Sequence, residues 1–479
     1  MRRRVKPDTQ NWTRTQDRDG SPSRLRTPRG RGPTVRRIVL ATLFAALTDR
    51  ALAEIWDARK YGAKADGVAL DTQAIQAAVD ACAQAGGGIV RLDGGVFLSG
   101  TIRLRSGVTL TVATNTVLRG SADIKDYEII TPQINYLYRA RFTKSLIYAE
   151  RQENIGLAGE GVIDGQGNLF PYKKGDDGGR PYLIRFSECK RVRVKGLTFL
   201  DSARWLSHYL ACEDVEIERV TIRSRIRENR DGMDIDSCNG VRIADCDVFS
   251  GDDAIVLKST VPGRPCRNVT VTGCRLSGLP AALKLGTESQ GGFEDITFSD
   301  CSLYDSRDGI AIEEVDGGLC QRVCVSNIVM RNVENPFFIR LGNRGNPVPG
   351  EAKPGVGQMR DITLSNVRAE GAGRTGCSVT GLPGHPVERV TLRDIRIRSA
   401  GGGTSEDAAR VIPEKEKAYP SGSMFGTLPA SGLYARHVNG LRLHGVVFSV
   451  ENKDARPAMV IEDVRSLETS ALVEQPHVR

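Results

Sequence analysis

A short alternating pattern of apolar and mostly polar residues recurs along the chain from about Ile155 onward. Each occurrence flanks a central residue with two branched or aromatic apolar residues, which is the period of a β-strand with one buried face. The first six occurrences begin at residues 192, 215, 241, 269, 296 and 323, so the intervals are 23, 26, 28, 27 and 27 residues. The occurrences are Val192–Val194, Val215–Ile217, Val241–Ile243, Val269–Val271, Ile296–Phe298, Val323–Val325, Ile362–Leu364, Val390–Leu392 and Leu441–Leu443.

Recurrence at about 20–30 residues is typical of stacked repeat units that share one continuous core. Leucine-rich repeats have a similar period, but their frame of leucines and asparagines is absent here, and Val, Ile, Thr, Asp and Gly dominate instead. The pattern therefore predicts an all-β fold, a right-handed single-stranded parallel β-helix. Longer intervals after Val325 leave room for loops at 343–357 and 401–434.

One early segment has helical composition. It runs from Asp71 to Ala85 and is rich in Ala and Gln. We predict a short helix here, capped by Asp71 and ended by the glycines at 86–88. Because the terminal repeats of a solenoid need a cover, we expect this helix to cap the open first coil.

The first 53 residues differ from the rest of the chain. They contain an Arg-rich polar stretch, the pair Arg36-Arg37, an apolar run at 38–47 and the small-residue site Ala51-Leu-Ala53. A basic flank, a short apolar run and such a site form an export signal, here about residues 34–53, and the run is too short to span a bilayer. We therefore predict a leader at 1–53, a β-helical catalytic domain at 54–479 and a periplasmic or secreted, monomeric protein. A buried N-terminal helix is the alternative interpretation of the apolar run.

The basic charge of the chain lies in this leader. Residues 1–53 hold 13 Lys and Arg against 4 Asp and Glu, so the remaining chain has 67 − 13 = 54 basic and 58 − 4 = 54 acidic residues. A net charge of zero argues against nucleic-acid binding, and no membrane association is expected after the leader is removed. The 11 cysteines lack metal-ligand spacing and recur near the repeat strands, which favours mostly buried thiols over a disulfide framework.

Two acidic segments contain the candidate chemistry. Asp231 lies 21 residues before Asp252 (252 − 231) and 22 before Asp253 (253 − 231), close to one repeat. Neighbouring strands are about 4.8 Å apart, so residues one coil apart can reach the same bound water. Clustered carboxylates repel one another, which can keep one protonated beside an ionised neighbour, as an acid–base hydrolase requires. Because adjacent strand residues point to opposite faces, Asp252 and Asp253 can share a cleft only if the chain bends, for example at Gly251.

These motifs resemble glycoside hydrolase family 28, the polygalacturonase family of the pectin-lyase-like β-helix superfamily. The resemblance covers about residues 55–460. It implies an inverting mechanism in which Asp252 is the general acid and Asp231 and Asp253 hold and deprotonate the attacking water. The matching segments are Tyr61–Gly67, Gly161–Gly167, Asn229–Asp231 for Asn-Thr-Asp, Gly251–Asp253 for Asp-Asp, and Trp205–His208 for a Trp-x-x-His segment of exo-acting members.

The chain departs from that family in two motifs. No histidine stands between Gly278 and Glu288, where the family usually has Gly-His-Gly. Glu313 and Glu314 end the stretch where the family has Arg-Ile-Lys, and we expect these acidic groups to repel galacturonate. Candidate substrate-binding residues are therefore drawn from other polar positions, each of which can equally be structural or solvated. They are Asn229 and His208 by the resemblance, Lys258 by parity with Asp252, Lys284 one coil later (284 − 258 = 26), and Arg340 with Arg344 as a carboxylate clamp.

The predicted function is hydrolysis of a pectic or related acidic polysaccharide or oligosaccharide, without a metal or other cofactor. Two alternatives stay open at this point. One is a polysaccharide lyase or epimerase on the same fold, since clustered carboxylates suit Ca²⁺. The other is a non-catalytic carbohydrate-binding β-helix. The aromatic segment from Tyr419 to His437 is predicted either to wall the cleft and stack on a sugar or to pack on the solenoid.

Overall fold

Strands dominate the computed structural model, which describes residues 54–171, 179–225, 229–471 and 473–474. There are two α-helices in these residues, α1 (Thr72–Gln84) and α2 (Ser405–Ala408), and three 3-10 turns at Ala58–Tyr61, Ile124–Asp126 and Gly167–Leu169. The strands, numbered β1 to β32 in chain order, are Ile55–Asp57, Asp66–Leu70, Gly88–Leu92, Gly95–Ser99, Ile102–Arg103, Val108–Val112, Thr116–Gly120, Ser145–Glu150, Glu153–Gly159, Val162–Asp164, Tyr182–Ser187, Lys190–Lys195, Thr198–Leu200, Ser207–Leu210, Glu213–Glu218, Thr221–Ser224, Met233–Asp236, Asn239–Ala244, Asp247–Ser250, Ile255–Ser259, Cys266–Thr272, Arg275–Gly278, Ala281–Ser289, Phe293–Glu314, Leu319–Leu341, Gln358–Ala372, Cys377–Thr380, Val387–Gly401, Leu433–His444, Val447–Asn452, Met459–Ser470 and Val473–Glu474.

The strands stack as a parallel β-helix with three faces. On one face β12, β15, β18 and β21 pair in parallel, each with the strand three places later in the chain. The neighbouring faces repeat this order with β11, β14, β17 and β20 and with β13, β16, β19 and β22. One coil therefore comprises three strands, and the predicted fold class is confirmed.

The repeated apolar pattern found in the sequence, called the phrase below, aligns in register from coil to coil. All nine predicted occurrences pair in sequence, beginning with Val192↔Val215↔Val241 and continuing through Val390↔Leu441. Their apolar side chains point inward and are at most 3% exposed. Burial of a Val, Leu or Ile side chain contributes about 1.5–3 kcal/mol, so the column supplies much of the driving force for stacking.

A bend precedes each phrase. In all nine cases the residue directly before the apolar pattern has a positive φ, from 53° to 83°. Left-handed backbone turns the chain from one face of the coil to the next, and Asn, Asp and Gly tolerate it best. Arginine occupies this position three times, at Arg191, Arg322 and Arg389, where its cost is offset by the surrounding ladder.

The predicted N-terminal helix is present as α1 with Asp71 at its N-cap position, but the Asp71 side chain does not cap it. The Asp71 carboxylate makes no hydrogen bond to the first turn of the helix. It accepts hydrogen bonds from the backbone N–H groups of Lys64 (2.7 Å) and Ala65 (3.0 Å) instead, and so fastens the helix to the preceding turn. The apolar face of α1, which includes Ile75 and Val79, is buried. That the helix covers the open first coil stays a prediction.

The predicted leader lies outside the described residues, as does its boundary at residue 53. Within the described ranges, no helix combines the length and hydropathy needed to cross a bilayer. Ten of the cysteines are buried, as predicted, and Cys324 is exposed. Several of these thiols donate to backbone carbonyl oxygens inside the solenoid, for example Cys238 to the carbonyl of Tyr209 at 3.1 Å.

Candidate active site

The three predicted catalytic aspartates lie in turns on one side of the solenoid. Asp231 precedes β17, and Asp252 and Asp253 precede β20 in the next coil. Since Met233 pairs with Ile255, Asp231 and Asp253 occupy equivalent positions in successive coils. The N–H of Gly232 donates to the Asp253 carbonyl at 2.9 Å and fixes this alignment. The interval of 22 residues is therefore one coil.

The carboxylates converge. One oxygen each from Asp231, Asp252 and Asp253 lie within 4.8 Å of one another. Asp231 and Asp253 are 3% and 2% exposed, whereas Asp252 is only partly buried. The Asp252 carboxylate accepts hydrogen bonds from the backbone N–H of Asn229 (2.9 Å) and of Asp253 (3.0 Å), which orient it. Asp252 is thus the member of the cluster most open to a ligand.

Asp252 and Asp253 can face the same cleft because they lie in a turn and not in a strand. Residues 251–254 lie between β19 and β20, outside regular strand structure, so Asp252 and Asp253 need not point to opposite faces. The turn is held by the N–H of Gly251, which donates to the Ser224 carbonyl (2.8 Å), and by the Ser250 hydroxyl, which donates to the Asp252 carbonyl (2.8 Å). The chain therefore bends at Gly251, as the sequence required for both aspartates to share a cleft.

Lys258 compensates the charge of the aspartates. Its ammonium lies 4.0 Å from Asp231, 3.7 Å from Asp234 and 3.2 Å from Glu288. Burial opposes the charged form of Lys258, but Glu288, Asp234 and Asp231 outweigh burial and hold its pKa well above the ordinary value. The residue therefore lies in the predicted site, with its charge already engaged by carboxylates.

Lys284 has the same arrangement around Asp253. Its ammonium lies 3.1 Å from Asp253 and 3.8 Å from Glu313. Burial works to lower the pKa of Lys284, and these two carboxylates reverse that effect and raise it well above its ordinary value. Lys284 pairs in register with Val256, so it lies one coil beyond the aspartates, as predicted.

The aspartates favour protonation. Burial, then the charges of Asp234 and Asp252, raise the pKa of Asp231 well above its usual range. Burial, then the charge of Asp253, also raise the pKa of Asp252, although the Asn229 N–H opposes this. Such competition for protons favours a protonated carboxyl beside an ionised one.

Glu313 and Glu314, the residues expected to repel galacturonate, are buried. They are 1% and 0% exposed, so they present no carboxylate to a substrate. Burial raises the pKa of Glu313 to about 7 and that of Glu314 well above its ordinary value. Glu313 accepts a hydrogen bond from the Thr287 hydroxyl (3.0 Å), and Glu314 accepts one from the Gly318 N–H (2.9 Å). The expected repulsion of galacturonate by these residues stays a prediction, although neither carboxylate can contact a substrate directly.

Arg344 reaches the site, but its guanidinium is engaged. It forms a fork on Asp316, with Nε at 3.0 Å, and lies 3.5 Å from Glu288. The Tyr138 hydroxyl also interacts with the Glu288 carboxylate. Glu288 therefore joins a residue of the loop at 121–144 and a residue of the loop at 342–357 to Lys258. A free carboxylate clamp by Arg344 would need this network to open.

Arg340 has a different role from the one predicted. It is 2% exposed and donates to the carbonyl oxygens of Gly381 (3.0 Å) and Glu414 (2.6 Å). Glu414 belongs to the connection between β28 and β29, residues 402–432, which we call the strap. Because its donors are used in this way, Arg340 anchors the strap and does not clamp a substrate.

The strap places an aromatic ring above the site. The Tyr419 ring is 61% exposed, and the Lys284 ammonium and the Arg344 guanidinium each lie 5.8 Å from its centre. The strap is also held by the Gly422 N–H, which donates to the buried carboxylate of Asp308 at 3.2 Å. The strap therefore borders the cleft, in agreement with one of the two predictions for this segment.

His208 pairs in register with Asp234 on the face that carries the site, but aromatic rings cover it. The residue is fully buried, with Nε2 3.2 Å from Asp236, and its ring stacks on Tyr182 at 5.6 Å and lies 5.3 Å from Trp205. Burial lowers the pKa of His208 to about 4, so the ring is neutral at pH 7. Its predicted substrate contact is therefore wrong, because no part of the side chain reaches the cleft.

Asn229 contacts the site through its backbone. Its N–H holds Asp252, while its side-chain oxygen accepts a hydrogen bond from Arg180 at 3.1 Å. The residue has φ of 59°, a conformation in which asparagine is favoured over most residues. Asn229 therefore positions the candidate acid.

This constellation of carboxylates on a parallel β-helix has relatives. The model of the family described as glycosyl hydrolases family 28 matches residues 90–417, more than half of the chain. The chain belongs to this family. Its members are glycosidases, and the protein is therefore an enzyme that hydrolyses glycosidic bonds.

The relatives within family 28 are distant in sequence. A probable polygalacturonase of Vitis vinifera is 29% identical over 395 residues, covering 76% of this chain and 78% of that protein. The solved exopolygalacturonase of Thermotoga maritima has a TM-score of 0.63 and 22% identity, covering 72% of this chain and 87% of that one. The family 28 exopolygalacturonase of Yersinia enterocolitica has a TM-score of 0.70 and 18% identity, covering 87% and 78% respectively. At these identities the two structures show a shared fold.

Three charged residues of the site were missed by the sequence analysis. Asp234 alternates with Asp236 along β17, and this alternation is a signal that both face the cleft side. Glu288 had no such signal, since two extra residues enter the chain between Leu285 and Ser289 and shift the register. Arg204, next to Trp205, is buried against aromatic rings within reach of the charge of Asp231.

Proposed function

We propose that this family 28 enzyme hydrolyses glycosidic bonds of a pectic polysaccharide or its oligosaccharides by single displacement, with inversion. The observation that supports the mechanism is the convergence of three aspartate oxygens within 4.8 Å on two successive coils. The names of the polygalacturonase relatives support the pectic substrate class.

In this mechanism protonated Asp252 donates its proton to the departing glycosidic oxygen as the bond to the anomeric carbon breaks. Asp231 and Asp253, which are buried and in register, bind a water between them, and one of them accepts a proton as the water oxygen bonds to that carbon. Asp252 is left ionised and regains a proton before the next cycle. The raised pKa of Asp252 supports its role as the acid.

The distance between the carboxylates makes the stereochemistry a sharp test. Separations of about 6.5–9.5 Å between the carboxyl groups are common in inverting glycosidases and about 5–5.5 Å in retaining ones, and here one oxygen of each aspartate lies within 4.8 Å of the others. Two features favour inversion despite this distance. A third carboxylate is present, and the two candidate bases are nearly buried, which suits them to hold a water rather than to attack a sugar carbon.

Family membership favours hydrolysis over lyase or epimerase chemistry, and the contacts of the carboxylates agree. The ammonium groups of Lys284 and Lys258 lie beside Asp253 and Asp231, so the cluster already has counter-charges. We propose that no Ca²⁺ is required. Digestion of pectic oligosaccharides with excess chelator, followed by ultraviolet absorbance and mass spectrometry, tests this: saturated products that persist with chelator support hydrolysis, and unsaturated uronate lost with chelator contradicts it.

We also propose that the protein is exported, that its leader is cleaved after Ala53, and that the mature enzyme is a monomer. The basic flank, apolar run and Ala51-Leu-Ala53 support this. Expression of the full chain in a bacterium followed by N-terminal sequencing of the periplasmic or extracellular product tests the cleavage. An uncleaved cytoplasmic product would contradict it, and light scattering of the product tests the monomer.

A further inference from the structure

Arg204 lies at the coil position of the catalytic residues. It stands in the turn before β14, and because Ser207 pairs with Met233, Trp205 aligns with Asp231 and Arg204 aligns with the residue before it. The Leu206 N–H donates to the Asp231 carbonyl at 2.8 Å, which repeats the link between the two coils of the aspartates. Arg204 is thus two coils before Asp252, about 10 Å along the solenoid for strands about 4.8 Å apart.

The Arg204 guanidinium packs among rings. The residue is 3% exposed, and its guanidinium carbon lies 3.2 Å from the ring centre of Phe142, 5.2 Å from that of Tyr182 and 5.6 Å from that of Trp205. Ring faces stabilise the flat surface of a guanidinium, but they leave its in-plane N–H groups without acceptors.

No hydrogen bond or carboxylate partner within 4.0 Å engages Arg204 among the described residues. Its Nε is fully enclosed and has no hydrogen-bond partner, whereas its two terminal nitrogens keep some exposure to solvent. Asp231 and Asp234 attract it electrostatically from a greater distance. A buried guanidinium without an acceptor is costly, and a bound oxyanion would relieve that cost.

In contrast to Arg204, the following buried cations near the three aspartates already have hydrogen-bond or ion-pair partners. Lys258 contacts Glu288 at 3.2 Å, Lys284 contacts Asp253 at 3.1 Å, and Arg344 forks on Asp316. Arg185, in the same aromatic cluster as Arg204, donates to the Phe142 carbonyl and the Tyr136 hydroxyl. Each of these groups would have to give up a partner to bind a substrate carboxylate, whereas Arg204 would not.

Resting on the proposed pectic hydrolase function, we propose that Arg204 is the receptor for the carboxylate of a uronate residue, bound next to the sugar whose bond is cleaved. The guanidinium presents paired N–H donors in a plane, which matches a carboxylate better than any neutral sugar hydroxyl. Arg204 thereby replaces the basic Arg-Ile-Lys motif that is missing from this chain. It makes the enzyme selective for free uronate over its methyl ester.

The test compares an oligogalacturonide with the same oligosaccharide fully methyl-esterified, using the wild type, Arg204→Gln and Arg204→Lys. Binding is measured by calorimetry in an Asp252→Asn background, which blocks turnover, and kcat and KM are measured in the native background. The matched control is Arg275→Gln, since Arg275 also lies over an aromatic ring, Tyr304 at 4.7 Å, but is exposed and far along the chain.

We expect Arg204→Gln to weaken binding of the acidic oligosaccharide by about 10- to 100-fold, the range for a lost hydrogen bond to a charged group. The methyl ester should bind the wild type and Arg204→Gln equally within about twofold, and Arg204→Lys should fall between. Arg275→Gln should match the wild type on both ligands. Because each protein is judged by its own ratio of acid to ester, partial loss of folded protein cancels.

Two results would overturn the proposal: equal weakening of both ligands by Arg204→Gln, which indicates a structural role, or no weakening of either. Failure of the proposed function is distinguishable from both. In that case the wild type cleaves no pectic oligosaccharide. The binding measurement then still tests the Arg204 proposal by the same criteria, because it does not require turnover.

Discussion

Glu288 is expected to be a large single contributor to stability around the site, and Glu288→Gln measures it. Burial would raise its pKa, but Lys258 and Arg344 outweigh burial and lower the pKa from 4.5 to about 2. A pKa lowered by about 2.5 corresponds to about 3 kcal/mol of stability at pH 7. This agrees with the roughly 3–5 kcal/mol lost when one partner of a buried ion pair is removed.

The sign of the pH dependence follows from the lowered pKa. The unfolded carboxyl takes up its proton first as the pH falls below 4.5, so the contribution of Glu288 is present above that pH and is lost towards pH 2. Urea unfolding should therefore show a difference between wild type and Glu288→Gln of about 3 kcal/mol at pH 7, shrinking to about 1.5 kcal/mol at pH 3.

The matched control is Glu216→Gln. Glu216 also bridges two basic groups, Arg193 and Arg242, each at 3.1 Å, but its side chain is 36% exposed. A surface pair of this kind contributes about 0–1 kcal/mol. A Glu288→Gln difference as small as that of Glu216→Gln, or one that does not change between pH 7 and pH 3, would refute the reasoning.

Three further predictions concern single side chains. Asp252→Asn should lower kcat by about 10²–10⁴-fold because it removes the proton donor, and a near-normal rate in product assays would contradict this role. Tyr419→Ala should raise KM by about tenfold with little change in kcat, and Tyr419→Phe should restore it, if the exposed ring stacks on a sugar worth about 1–1.5 kcal/mol. For His208, whose pKa burial lowers to about 4, the unfolded state binds the proton first, so wild-type stability should fall by about 2.5 kcal/mol from pH 6.5 to 4 relative to His208→Asn. A pH-independent difference in urea unfolding would exclude that origin.

The architecture could be predicted because one periodic signal encodes it. The apolar phrase repeats the inward column of the solenoid, and every occurrence from Val192 to Leu441 pairs in the predicted order. The same period explains why Asp231 and Asp253, 22 residues apart, occupy equivalent positions in successive coils. Lys258 lies in register with Asp236 and near Asp231, but parity with Asp252 did not place it, because residues 251–254 are outside regular strand structure.

The remaining site residues depend on irregular backbone and on distant loops, which have no period. Glu288 reaches Lys258 only because extra residues interrupt the register after Leu285. Arg340 is occupied by the carbonyl of Glu414, a residue 74 positions later in the strap. His208 has the spacing of a site residue, yet its burial depends on rings brought together from several coils.

The configuration of the first-formed product tests the central claim most directly. NMR of a pectic oligosaccharide during rapid digestion resolves the new reducing end before mutarotation mixes its two anomers. If Asp231 and Asp253 direct a water while Asp252 protonates the leaving oxygen, that end has the configuration opposite to the cleaved bond. A product that retains the original configuration would show a covalent intermediate, which the short distance between the carboxylates also permits, and would contradict the account.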